Sequence, residues 1–173
     1  MSSSAHRVAY ASVADGTLIL GHPSGTHVAL THDRVRALDP SSEGPVVLWD
    51  VPWEGVSALA VEAPESRVRH PGRLTGSIMG LVTAVGLDWE PATAPVRVRV
   101  HTAGAVLESE CVGYVGRGYH RPRARALAVL IDLLVSDKGV RAQLADPVAL
   151  LTRVVAASTA ATEDDMRNRL TAG

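Results

Sequence analysis

The residues of this sequence that do chemistry elsewhere are few and scattered. Seven histidines stand at positions 6, 22, 27, 32, 70, 101 and 120. None shares the i, i+4 spacing of an HExxH helix, which sets two imidazoles on one face for a metal ion. His32, Asp33 and Arg34 follow one another directly, so an enzymatic or small-molecule site would be sought there. Cys111 lies between Glu110 and Val112 at an even position of a strand, and with no Cys-His-Asn signature around it the thiol is expected to be buried and inert. A single cysteine forms no internal disulfide and leaves no second thiol for a CxxC pair or a zinc knuckle. No GxSxG, P-loop or GxGxxG occurs, and Gly113-Tyr-Val-Gly116-Arg-Gly118 has the wrong order for a dinucleotide turn. These absences favour a non-enzymatic chain with no cofactor and no metal.

The charge layout is more informative. From Ala37 to Glu65 stand six carboxylates, Asp39, Glu43, Asp50, Glu54, Glu62 and Glu65, with no cation, and from Cys111 to Ile131 stand Arg117, Arg121, Arg123 and Arg125 with no carboxylate. Three of these arginines fall in the first turn of a predicted helix, where the macrodipole already presents positive charge and each cation costs about 0.3–1 kcal/mol. An anion relieves that cost: a phosphorylated ligand, an acidic lipid head group, a partner's carboxylates or the chain's own acidic strands. These four arginines are the candidate anion or partner site.

A second candidate surface lies between Pro64 and Pro95. Arg67, Arg69, His70 and Arg73 lead into the apolar run Ile78 to Leu87, an order that suits a membrane surface or a self-association contact through Arg67, Arg69, Arg73, Ile78, Met79 and Leu81. The run is broken by Gly80 and Gly86 and is about half of the roughly 20 residues that a bilayer-spanning helix needs. The first residues carry no basic segment leading into an apolar one, as a secretory signal would. The expected location is the cytoplasm.

Positioning these groups requires a core, and 173 residues with 46% hydrophobic content are enough for one. A formal net charge of −1 lacks the basic excess of a nucleic-acid binder. Phenylalanine is absent, so the core must be aliphatic. Alternation and turn residues predict strands from Val8 to about Val112: Val8–Val13 and Thr17–Leu20 around Asp15-Gly16, then His27–Thr31 and Val35–Leu38 around His32-Asp33-Arg34. A surface loop over 40–45 precedes Val46–Trp49 and Val56–Val61. Val96–Val100, with Arg97 and Arg99 outward, pairs with Val106–Val112. After Gly118 the period becomes helical. Leu127, Leu130, Ile131 and Leu134 form one stripe of a helix from Pro122 to Ser136. A shorter helix over 137–144 with Ser136 as its cap follows, and then a third that opens on Asp146-Pro147 and carries Val148, Leu151, Val154 and Val155. Residues 158–173 read as a flexible tail.

Strands followed by helices make an α+β chain. Three stretches, Gly25-Thr-His-Val-Ala-Leu-Thr-His-Asp-Arg-Val-Arg-Ala-Leu38, Val51-Pro-Trp-Glu-Gly-Val-Ser-Ala-Leu59 and Val96 to Glu108, together with the helix from Pro122, resemble the bacterial PH-like and GRAM-like domains over roughly residues 8–136. The resemblance implies a partly open antiparallel barrel or two-sheet roll capped by a C-terminal helix, to which short C-terminal helices are added. It also implies a binding or assembly role. The turns at Asp15-Gly16 and Gly21–Gly25 carry no Lys or Arg, unlike phosphoinositide-binding members. The organisation expected is a PH-like domain over 1–136 with an insertion at about 64–95, a helical extension over 137–157 and the tail. The partner expected is a protein or a second copy, with an acidic lipid or phosphorylated ligand as the other candidate; neither nucleic acid nor a membrane span is expected. The alternatives are an enzymatic or ligand-carrying barrel at His32, Asp33 and Arg34, and a peripheral membrane adaptor using the insertion.

Overall fold

The computed structural model describes residues 6–41, 44–66, 93–115 and 118–172. Its first half is a six-stranded antiparallel sheet in sequence order, β1 (Arg7–Val8), β2 (Ala11–Ala14), β3 (Thr17–Leu20), β4 (His27–Leu30), β5 (Arg34–Ser41) and β6 (Gly44–Pro52). Asp15 and Gly16 both take positive φ, 48° and 71°, which suits the right-handed twist of a two-residue hairpin. Ala9 also takes positive φ, 51°, and folds Val8 back onto Ala11. The single strand expected over Val8–Val13 is therefore two short ones. The loop expected over 40–45 is instead the end of the β5–β6 hairpin, where Pro40 faces Pro45 and Ser41 faces Gly44.

A second antiparallel sheet holds β7 (Ala58–Glu62), β9 (Val96–His101) and β10 (Val106–Cys111) in the order β10-β9-β7. The expected alternation on β9 is present: Val96, Val98 and Val100 are fully buried, while Arg99 reaches Glu62 at 2.6 Å and Glu108 at 2.9 Å and Arg97 reaches Glu108 at 3.1 Å on the outer face. Two short strands, β8 (Glu65–Ser66) and β11 (Tyr119–His120), pair in parallel. The two larger sheets meet where Val112 N–H donates to Thr26 O (2.9 Å), His22 N–H donates to Val112 O (2.6 Å) and the Trp49 indole donates to Ser109 Oγ (2.9 Å). Among the described residues the strands form separate sheets and close no barrel. Gly113 sits so close to Ala94 that a Cβ would lie 1.6 Å from its carbonyl oxygen.

Four helices complete the chain: α1 (Arg121–Ser136), α2 (Lys138–Ala142), α3 (Pro147–Ala157) and α4 (Glu163–Thr171). Leu127, Leu130, Ile131 and Leu134 are buried as a stripe of α1. The N-cap His120 makes no side-chain capping bond and the first turn holds no acid. Asp137, not Ser136, caps α2, accepting from Gly139 N–H at 2.7 Å; Ser136 is still the last residue of α1, and its hydroxyl donates back to Asp132 O at 3.0 Å. Asp146 caps α3 by accepting from Ala149 N–H at 3.0 Å. The buried face of α3 is Leu150, Leu151, Val154 and Ala157, which leaves the expected Val148 exposed and Val155 half-buried. The expected tail contains α4, whose Met166 and Leu170 are buried at 2% and 0% exposure. One i, i+4 pair of apolar residues docks a helix that is polar everywhere else. The sheets, α1, α3 and α4 enclose one largely aliphatic core, with Tyr10, Trp53 and Tyr119 as its buried aromatics. No helix among the described residues is long and apolar enough to cross a membrane.

Candidate functional site

The residues singled out from sequence do not converge. Arg67, Arg69, Arg73, Ile78, Met79, Leu81 and Arg117 lie outside the described residues. His32, Asp33 and Arg34 form the turn between β4 and β5, and their polar atoms serve one another: Thr31 Oγ1 donates to Asp33 (2.6 Å), while Arg34 bridges Asp33 and Asp50 at 2.9 Å each. Cys111 is buried, and burial pushes its thiol up to about 12, far from a nucleophile's range. Among the described residues no three His, Cys, Asp or Glu side chains gather as a metal would need. Of the helix arginines, Arg121 pairs with Glu65 at 3.1 Å, so the chain's own acidic segment answers it. Arg123 is half-buried and Arg125 exposed; neither makes an ion pair with a described residue.

Arg121 and Arg125 border a groove that runs between β7 and α1. At the head of α1 it is a cleft of about 480 Å³, walled by Tyr10, Val61, Ala63, Glu65, Arg121, Arg125 and Ala128, with Met166 of α4 on the far side. Along α1 it continues as a second cleft of about 440 Å³ between Ser57–Val61 on one side and Ala128, Ile131, Asp132 and Val135 on the other. Val61 and Ala128 belong to both, so the two are one groove. Successive strand residues point to opposite faces, and Ser57, Ala58, Leu59, Ala60 and Val61 all line it. Consecutive residues can do so only if the groove runs along the backbone edge of β7. Among the described residues that edge has no neighbouring strand, because β7 pairs with β9 alone.

The other sheet ends differ. β6 pairs only with β5, and its Pro45 and Pro52 stand opposite Pro40 and Arg34. A proline has no N–H to give inward, so both must occupy outward-pointing positions of the ladder, where they remove donors that a foreign strand would need. A register shift at Ala37/Leu38 distorts that edge further. β1 has two residues, and beyond β10 the Val112 main chain is already bonded to Thr26 and His22. β7, Ala-Leu-Ala-Val-Glu, has no proline and a regular register. Among the described residues it is an open edge, as β10 also is along Val106–Cys111, and it is the one that faces the groove.

The floor of the groove carries a polar group. Tyr10 is 3% exposed and forms an edge-to-face pair with Tyr119, and its hydroxyl makes no hydrogen bond among the described residues. Burial, with the Asp132 and Glu65 carboxylates nearby, raises its pKa far above the ordinary value of 10.0, so it remains a donor at any physiological pH. Charge along the groove is uneven. Glu65 is taken by Arg121, and no described carboxylate pairs with Arg125 at one end; at the other Asp132 lies 3.7 Å from Arg167. The arrangement suits main-chain hydrogen bonding along β7, an acceptor group near Arg125 and Tyr10, and small apolar side chains over Ala128 and Ile131.

Sequence reasoning found the arginines but missed the groove. A signal for the helix wall was present: Arg121, Arg125, Ala128, Asp132 and Val135 recur at intervals of four, three, four and three, the stripe beside the buried one, with an alanine at its centre. Nothing local marks β7 as an edge, since edge position depends on strand order. No protein-family model, curated protein or solved structure matches the chain.

Proposed function

We propose that the chain is a non-enzymatic binding module of PH-like type, and that it takes an extended segment of a protein partner as an added strand on β7, inside the groove against α1. Two antiparallel sheets followed by a helix that packs on β7 support the PH-like reading. The observation that carries the binding reading is the backbone edge of β7 facing a groove, where main-chain bonds supply affinity and the lining supplies specificity. From Ser57 to Ala63 the edge spans about 20 Å at 3.3 Å per residue, room for a six-residue strand. Its few hydrogen bonds, each worth about 0.5–1.5 kcal/mol net, do not by themselves exceed an association cost of about 4–15 kcal/mol. Contacts with Ala128 and Val135 must add to them.

The test is selection of random peptides displayed on phage against the full chain and against its Ala128→Leu variant. Ala128 is exposed on α1, so leucine there fills the waist of the groove and leaves the core alone. Enrichment on the wild type and not on the variant is expected. Equal enrichment on both places binding elsewhere, and enrichment on neither removes the reading.

A further inference from the structure

The groove has a polarity, and we infer that its occupant is an acidic-then-apolar strand: an extended segment whose acidic residues lie toward its N-terminus, beside Arg125, and whose following residues are small and apolar. This rests on the strand-addition reading above and names the chemistry of the partner. β7 runs from Ala58 at the Val135 end toward Glu62 at the Arg125 end. An added strand is more stable antiparallel than parallel, so its first residues meet Arg125. Glu65 does not compete for Arg125, because it is paired with Arg121, and the Tyr10 hydroxyl in the cleft floor offers a second donor to the same carboxylates. Beyond Ala128 the wall turns apolar at Ile131 and Val135. The dimensions agree: Arg121 to Val135 spans about 21 Å of helix at 1.5 Å per residue, the length of the strand edge opposite.

The experiment measures retention of peptide pools on the immobilised full chain. Each pool has eight positions drawn from Val, Thr, Ala and Ile, preceded or followed by Asp-Glu, Lys-Arg or Gln-Gln, and wild type is compared with Arg125→Gln and Ala128→Leu. Both substituted positions are exposed, and circular dichroism checks that the variants are folded. Pools opening with Asp-Glu are expected to be retained about tenfold more than those opening with Gln-Gln, the scale of one charge-assisted bond. Arg125→Gln should abolish that preference, and Ala128→Leu should abolish retention of every pool. Retention blind to the charged pair, with Ala128→Leu still abolishing it, overturns the polarity and leaves strand addition standing. Preference for pools ending in Asp-Glu overturns the antiparallel order. No pool retained on wild type above Ala128→Leu overturns strand addition itself.

Discussion

At Asp33 two neighbours act on one exposed carboxylate. The Thr31 hydroxyl and the Arg34 guanidinium hydrogen-bond to it, in that order of effect, and hold its pKa at about 2 against an ordinary 3.8. A carboxylate with a depressed folded pKa contributes stability above its unfolded pKa and loses it as pH falls through the folded one. Here that window runs from about 4 down to about 2. A carbon-detected NMR titration should place the Asp33 midpoint near 2, and Thr31→Val should move it upward; an unmoved midpoint would mean that the hydroxyl contributes nothing. Cys111 behaves in the opposite sense. Its folded pKa is raised to about 12 from 9.0, so its contribution is complete below about pH 9 and declines between 9 and 12. Iodoacetamide at pH 8.5 should therefore label the thiol only as fast as the protein opens, and urea should accelerate it. Brisk labelling of the native chain would contradict the burial.

At the scale of elements, α4 shows how little apolar surface docks a helix. Leu170 and Met166 are buried while Glu163, Asp165, Arg167 and Arg169 pair along the outside. Leu170→Ala should lower stability by about 2–5 kcal/mol in urea unfolding, and deleting the chain from Thr162 onward should depress the melting temperature by many degrees. An unchanged melt on truncation would show that the helix is not docked. The same element marks the limit of the sequence. The α1 stripe has four aliphatic residues at i, i+3, i+4 and i+7 and reads unambiguously as a buried helix face, and β9, with valines alternating against arginines, reads as a half-buried strand. α4 has two apolar residues among charges, and whether such a pair is buried depends on whether a cavity elsewhere admits it. Local pattern carries no information about that cavity. The β5–β6 hairpin reads short because Pro40 and Pro45 look like loop residues; they face each other across a ladder that needs no donor from either.

For the whole molecule the decisive property is which strand ends are left open. Val46, Val47 and Leu48 on β6 are each about half exposed, and what restrains them from recruiting another chain is the pair of prolines on the outward positions. Replacing Pro45 and Pro52 together with Thr restores two outward donors. Sedimentation should then show self-association rising with concentration, while the wild type under the same conditions does not follow it. Equal behaviour of the two would show that the bulge alone suffices. Of the candidate site, the helix wall that carries Arg121 and Arg125 was legible in the sequence. The opposite wall is the backbone of Ser57 to Val61, and a backbone edge has no letters of its own: it exists because β9 pairs with one side of β7 and no described strand pairs with the other.

The first turn of α1 has a consequence in time as well as space. It begins at an N-cap that offers no side-chain bond and carries cations where the dipole favours anions. What holds the turn is the chain just before it, Tyr119 N–H donating to Pro64 O at 2.7 Å, together with the apolar stripe further along. Its amide protons are therefore the ones of α1 that should exchange with solvent soonest, by fraying rather than by global unfolding. An acidic residue seated beside Arg125 would sit at that same end, and filling the groove should slow the exchange of the Arg123 and Ala124 amides more than that of Leu133 and Leu134. The groove would then be read out as a clock at one end of a helix.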